Sequence, residues 1–267
     1  MQAQAEQTPY DITIERFSKA IDRRPTFAEG YNYRGIAYGN KGEIDRAIEN
    51  FNTAIRRKEN YAEAYSNRGA VYRMKGDYDR AFEDCNTAIR LDPNLPEAYN
   101  NRGIVYKRKG EINQALEDYT KAIELDPGFA YPYYNRGIIY YETEKYDLAI
   151  IDYTKAIELR PDLVDPYNNR GNVYTKKGDY ERAIKDYDAA IERNTDLAEP
   201  YYNRGMIFVR LQKWEKAKED LTTARNKQEN IIIEQFRKEY ENVADFEQKY
   251  NVKLPKDITA LLTPAQA

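Results

Sequence analysis

The glycines Gly35, Gly69, Gly103, Gly137, Gly171 and Gly205 stand 34 residues apart, each closing a run of one type: YNYRG at 31–35, YSNRG at 65–69, YNNRG at 99–103, YYNRG at 133–137, YNNRG at 167–171 and YYNRG at 201–205. Six copies without an insertion predict one supersecondary unit stacked on itself, its apolar faces covered only by neighbouring copies. The core of such a stack grows along an axis, so the 267 residues are expected to form one elongated array rather than one or two globular domains. Function must then be sought on the surface of the stack.

Counting each unit from seven residues before its glycine, the units begin at Ala28, Ala62, Pro96, Ala130, Val164 and Ala198. The aromatic at position 4, the glycine at 8 and the aromatic at 11 share one helical face, as in Tyr99, Gly103 and Tyr106. Positions 20, 24 and 27 share another, as in Ala115, Tyr119 and Ala122. Between the two, Gly42, Gly76, Gly110 and Gly178 at position 15 suit a left-handed helix end, so each unit reads as a helical hairpin. Folding it sets position 4 opposite 27, 8 opposite 24 and 11 opposite 20, a large residue against a small one each time. These tyrosines are therefore expected in the core. Pro25, Pro93, Pro127 and Pro161 at position 32 end second helices, while Pro132, Pro166 and Pro200 suit the first turn of the next helix.

Charged residues make up 33% of the chain, a level that favours disorder, but 26 tyrosines supply bulk that packs and still reaches water. No segment approaches 18 apolar residues, which argues against a membrane partner. A net charge of −3, from 42 basic and 45 acidic residues interspersed, argues against nucleic acid. The chain has no histidine and one cysteine, which removes the usual general base, the commonest transition-metal ligand and any internal disulfide. No cofactor, metal or catalytic residue is expected. The opening MQAQAEQ fits a native start or a methionine placed on a trimmed mature end, so the compartment stays open, with the cytoplasm favoured over export.

This pattern resembles the tetratricopeptide repeat, a 34-residue helix-turn-helix with an aromatic at position 4, glycine at 8, tyrosine at 11, alanine at 20, an aromatic at 24, alanine at 27 and proline at 32. The resemblance implies an all-α, right-handed α-solenoid, with a half repeat and six full repeats over residues 8–227 and a C-terminal helical cap and tail over 228–267. Departures are visible. The family's tryptophan at position 4 is tyrosine, its leucine at 7 is arginine, and Glu144 and Gln212 replace the turn glycine, which predicts a different or more strained turn there. Residues Asp11–Pro25 match a second helix alone, with Phe17 at position 24 and Ala20 at 27. Downstream, Ile232, Phe236, Tyr240 and Val243 make one apolar stripe expected to cover the last hairpin, followed by helices near Val243–Tyr250 and Asp257–Leu262.

Arginine recurs at position 7 in all six units (Arg34, Arg68, Arg102, Arg136, Arg170, Arg204) and aspartate at position 23 in five (Asp84, Asp118, Asp152, Asp186, Asp220). The hairpin brings these positions level, which predicts a repeated ion pair between helices; Arg34, facing Asn50, is the exception. Cys85 stands at position 24, where other units carry an aromatic, and is expected to be an inert core thiol.

The resemblance also implies that positions 2, 5, 6, 9, 12 and 13 of the first helices line a ligand groove. Position 6 is Asn67, Asn101, Asn135, Asn169 and Asn203, with Tyr33 in the first unit. An asparagine row can grip a peptide backbone through its acceptor and its two donors, similar to the asparagine ladder of the O-linked N-acetylglucosamine transferase superhelix. The same residues could equally bond neighbouring helices, and both readings stay open. Acidic residues at position 2 (Glu29, Glu63, Glu97, Asp165, Glu199) and basic ones at 12 and 13 (Arg73, Lys107, Arg108, Lys176, Arg210) predict one negative and one positive rim, which also suits the helix dipoles. The fourth unit places Tyr131, Tyr134, Ile138 and Tyr141 at groove positions, a candidate aromatic anchor. Of the family's carboxylate clamp only Asn172 followed by Asn203 fits, so a receptor for chaperone tails is not expected. The reading is a non-enzymatic scaffold whose partner is a protein or peptide segment held in the groove. Two alternatives stand beside it: the recruiting arm of an enzyme whose catalytic domain is absent, or a module that self-associates through the ends of the array.

Overall fold

The computed structural model describes residues 7–228 and 230–263; the first six residues, Glu229 and residues 264–267 of the expected cap lie outside the described residues. The chain divides into two compact units, Met1–Arg136 and Gly137–Ala267. Among the described residues every regular element is a helix. In order they are α1 (Pro9–Arg23), α2 (Ala28–Asn40), α3 (Ile44–Arg57), α4 (Ala62–Lys75), α5 (Tyr78–Leu91), α6 (Pro96–Lys109), α7 (Ile112–Leu125) and α8 (Ala130–Glu142), which carries the division. The second unit continues with α9 (Tyr146–Leu159), α10 (Asp165–Lys176), α11 (Tyr180–Arg193), α12 (Ala198–Arg210) and α13 (Trp214–Lys227), then α14 (Ile231–Glu239), α15 (Val243–Tyr250) and α16 (Lys256–Leu262). The chain is a tandem array of helix hairpins, the all-α class that the spacing implies. None of the described helices is long and apolar enough to cross a membrane.

Close approach within each hairpin follows from the small-against-large code. A Cβ on Gly103 would lie 2.7 Å from Cε1 of Tyr119, so only glycine lets that ring sit over the first helix. In the second repeat Cys85 replaces the ring, fully buried, and its Sγ would stand 3.1 Å from a Cβ on Gly69. Burial pushes its thiol up to about 12, which makes it the inert core side chain expected.

At the hairpin turn Gly76 takes φ +85°; its N–H reaches the Arg73 carbonyl and the Asp77 N–H reaches the Tyr72 carbonyl. The two turns without glycine are not a different motif. Gln212 adopts φ +55° with the same pair of bonds, to Val209 and Phe208, and Glu144 adopts φ +58° with bonds to Tyr141 and Tyr140. A left-handed residue with a Cβ costs roughly 1–2 kcal/mol, and glycine's extra freedom in the unfolded chain takes back about 0.5–1. Gln212→Gly is therefore expected to stabilise the chain by about 0.5–1 kcal/mol in urea unfolding; equal or lower stability would show that the turn is relaxed.

The arginine at position 7 does more than pair with position 23. Arg102 donates from Nε and Nη2 to both Asp118 oxygens at 2.8 and 2.7 Å, and from Nη1 to Asn86 of the preceding repeat at 2.8 Å. Arg68 does the same with Asp84 and Asn52, Arg170 with Asp186 and Thr154, and Arg204 with Asp220 and Asp188. One guanidinium thus ties a first helix to two second helices, its own and the one before. Arg34 keeps two of these three bonds without a carboxylate, from Nε to Asn50 and from Nη1 to Ser18. Tyrosine at position 4 has a role beyond packing: the hydroxyls of Tyr31, Tyr99, Tyr133 and Tyr167 donate to the carbonyls of Pro25, Pro93, Pro127 and Pro161, at 3.2–3.4 Å.

The apolar stripe of the C-terminal segment is split. Tyr240 is extended after α14, and Asn242 restarts the helix by accepting from the Asp245 N–H, so Val243 opens α15 instead of continuing α14. Ile232, Phe236, Tyr240, Phe246, Leu254 and Ile258 pack in one buried cluster with Met206, Val209 and Leu221 of the last hairpin.

Candidate functional site

First helices of successive repeats lie side by side within each unit, α2 with α4 and α4 with α6, then α10 with α12. In the first unit this stacking decides what the asparagines touch. Nδ2 of Asn67 donates to Asn32 Oδ1 at 3.1 Å, that of Asn101 to Ser66 Oγ at 3.2 Å, and that of Asn135 to Asn100 Oδ1 at 2.9 Å. Each acceptor stands at position 5 of the preceding repeat and is buried, so the bond satisfies a polar atom that water cannot reach. One amide hydrogen is committed to the fold in this way at Asn67 and Asn135, while the Asn101 amide also reaches the Ser66 carbonyl at 3.4 Å. Among the described residues no donor reaches the Oδ1 of Asn67, Asn101 or Asn135, and all three side chains are half-buried.

Beside this row Arg73 is half-buried, and its Nε is a buried donor without a hydrogen-bond partner. Desolvation holds the guanidinium below its ordinary pKa, with Cys85 and Tyr119 as neighbours and no carboxylate among its main influences. Arg108 is exposed, whereas Lys107 is half-buried and engaged. Tyr131 is exposed and packs edge-on against Phe129 at 6.0 Å, and Tyr134 is half-buried and engaged.

In the second unit Asn203 donates to Asn168 Oδ1 at 3.2 Å and to Asn172 Oδ1 at 3.0 Å, and Asn169 is half-buried and engaged. Ile138 is half-buried. Tyr141 lies 6.1 Å from Tyr146 and lines a cleft of about 420 Å³ together with Asn172, Asn203, Lys176 and Arg210. The two cations are not the open positive edge that the sequence predicts. The Arg210 side chain is only 9% exposed, and Glu239 of the C-terminal segment stands 3.4 Å from Lys176 and 3.7 Å from Arg210. Arg210 Nη2 donates to the Tyr240 hydroxyl at 2.9 Å, and its guanidinium lies 4.9 Å from the Tyr250 ring centre. Burial works to lower the pKa of Arg210, but Tyr240 and Tyr250 outweigh it and the group sits above its ordinary value. Lys176 is also raised, desolvation being outweighed by Glu239 and Tyr141. Glu239, Tyr240 and Tyr250 are site residues that sequence reasoning missed; their only signal is a polar and aromatic end to the apolar stripe of α14.

Family models described as tetratricopeptide repeat match residues 62–95, 96–129, 17–49 and 118–151, and one described as TPR repeat matches 40–76, 137–178 and 171–212. Together they run unbroken from 17 to 212. The chain belongs to the tetratricopeptide-repeat family. Among solved structures it is similar to the APC/C hetero-tetramer Cut9–Hcn1, with a TM-score of 0.75, 18% identity and 83% of this chain covered. It spans 44% of that longer chain. PilF of Pseudomonas aeruginosa matches with a TM-score of 0.68 and 15% identity over 87% of this chain and 100% of the other. MamA matches at 28% identity with a TM-score of 0.50, over 60% of this chain and 94% of the other. No curated protein sequence matches the chain. Tetratricopeptide repeats of this kind serve in general as protein-interaction scaffolds.

Proposed function

We propose that the chain is a non-enzymatic scaffold that holds an extended segment of a protein partner on the first-helix faces of its repeats. What carries this reading is the asparagine row of the first unit. Asn67, Asn101 and Asn135 each commit their amide to the preceding repeat, which fixes the side chain, and retain an oxygen that no described donor reaches; Asn67 and Asn135 also keep a second amide hydrogen. A held amide with an open acceptor and a second hydrogen is a preorganised partner for a peptide group, and preorganisation lowers the entropy lost on binding. Arg73, with its unpaired buried Nε, adds a cation to the same face. The reading favours a partner segment with acidic residues, and exposed positions that tolerate many side chains.

The test is a pull-down with the 267-residue chain, followed by affinity and melting measurements on the partner it recovers. Asn101→Ala with Asn135→Ala removes two inter-repeat bonds and two ligand contacts at once. At about 0.5–1.5 kcal/mol per bond, stability should fall by about 1–3 kcal/mol and affinity by about tenfold, since ~1.4 kcal/mol is one decade. Lowered stability with full affinity per folded molecule would assign the asparagines to the fold alone and end this reading of the row.

A further inference from the structure

The first repeat holds a guanidinium that lacks the carboxylate of its counterparts. Nη2 of Arg68 donates to Asp84 Oδ1 at 2.6 Å, and that of Arg102 donates to Asp118 Oδ1 at 2.7 Å. At the matching place Arg34 faces Asn50, whose one side-chain oxygen already accepts from Nε at 2.8 Å. The other terminal atom of Asn50 is the amide nitrogen, itself a donor, turned to the Arg46 carbonyl. Nη1 of Arg34 is taken by Ser18 at 3.1 Å, and among the described residues no acceptor reaches Nη2. Arg34 lines a cleft of about 430 Å³ between α2 and α3, where Arg46 and Glu49 stand on the α3 side. Tyrosine faces hold both guanidiniums in place, Arg34 at 5.5 Å from the Tyr31 ring centre and Arg46 at 5.6 Å from that of Tyr38. Arg56 joins them at the rim, where it donates to the Thr53 hydroxyl at 2.7 Å. Three arginines thus gather around one lining carboxylate, Glu49, with Glu43 offsetting part of the charge of Arg46 at 2.7 Å.

We infer that this cleft is a phosphate-binding site, in which the tetrahedral oxyanion of free phosphate or of a small phosphate monoester sits between Arg34 and Arg46. The donors select that shape. The side-on fork of Nε and Nη2 that grips Asp84 and Asp118 is broken at Arg34, because Asn50 occupies Nε, so a planar anion cannot be held there by two parallel bonds. A phosphate carries oxygens in several directions and can take separate bonds from Arg34 Nη2, from the second hydrogen of the Asn50 amide and from Arg46 across the cleft. Its double charge also offsets the repulsion of Glu49 better than a single one would. No member of the asparagine row lines this cleft, and half of its wall comes from a second helix. The inference therefore goes beyond the scaffold reading and stands or falls apart from it.

The experiment titrates the full chain by calorimetry in a phosphate-free buffer at low ionic strength, where exposed charges are least screened. The probes are inorganic phosphate and, separately, adenosine monophosphate. Saturable binding of phosphate with no gain from the nucleotide assigns the site to the free anion, tighter binding of the nucleotide assigns it to a carried phosphate, and failure of both overturns the proposal. Asn50→Asp is the decisive variant, since it supplies in place the carboxylate that Arg102 finds in Asp118. It should weaken phosphate binding by more than about tenfold and raise the melting temperature, because the first hairpin gains a charge-assisted pair. Affinity retained in that chain would mark the binding as general attraction to surface cations and overturn the proposal. Arg46→Gln should weaken binding about tenfold, whereas Glu49→Gln should tighten it about threefold to tenfold. Both side chains are exposed, so the fold survives their loss, and unchanged affinity in the two variants also overturns the site.

Discussion

A chain ending at Asn230 is expected to aggregate, or to lose the single cooperative transition of its second unit on heating. Each repeat buries its apolar surface only against its neighbours, so the last hairpin depends on the C-terminal helices that cover it. Deleting Ile231–Ala267 removes Ile232, Phe236, Phe246 and Ile258 from the cluster that holds Met206, Val209 and Leu221, all of them almost without exposure now. Uncovering an apolar side chain of this size costs about 1.5–3 kcal/mol, so exposing even two costs about 3–6 kcal/mol, against a usual margin of about 5–15 for a whole domain. The ion pair between Lys218 of α13 and Asp257 of α16, at 2.9 Å, is exposed and adds little to this sum. Sedimentation and calorimetry on the truncated chain check the result. A monomer with an unchanged melting temperature would show that α14–α16 are an appendage.

The hairpin architecture could be read from the chain because its determinants are local and repeated. Tyr119 over Gly103 and Arg102 beside Asp118 follow from folding a 34-residue unit about its turn, with no need to know how units stack. Features that depend on stacking were less accessible. The third contact of each position-7 arginine falls on Ser18, Asn52, Asn86, Thr120, Thr154 or Asp188, which share one position of the repeat and a side-chain oxygen; the position recurs in the sequence, but stacking of the repeats is what makes it the arginine's partner. The asparagine row was visible, but its two uses could not be separated until the offset between repeats set Asn101 against Ser66 and Asn135 against Asn100. At Gln212 the missing glycine predicted a different or more strained turn, and the second alternative is what is found: the bonds to Val209 and Phe208 keep the same turn and a residue with a Cβ takes the left-handed conformation. The docking of Glu239 near Lys176, 63 residues away in sequence, has no periodic signature at all.

Asp118→Ala is expected to cost about 3 kcal/mol, far more than a surface change, because the loss falls on the arginine left behind. The Asp118 side chain is 7% exposed and that of Arg102 is 19% exposed, and the carboxylate is the main group holding the guanidinium above its ordinary pKa. Removing one partner of such a pair strands the other charge, at about 3–5 kcal/mol for full burial and somewhat less where part of the group reaches water, as here. The first repeat supplies the control. There Asn50 stands in for aspartate, still accepts from Arg34 Nε at 2.8 Å, and anchors its own amide on the Arg46 carbonyl. Asp118→Asn can copy that arrangement and is expected to cost about 1 kcal/mol, the value of a neutral bond lost from a charge-assisted pair. A third variant separates the stranded charge from the strength of the pair itself: Arg102→Met with Asp118→Leu removes both charges, and replacing a buried pair by apolar side chains of similar size is often close to neutral. The order of stability should therefore be wild type, then Asp118→Asn, with the double variant above Asp118→Ala. Urea unfolding of the four chains decides it. If the double variant were the least stable, the pair and its bond to Asn86 would be holding the three helices together by attraction, and the stranded-charge account would be wrong.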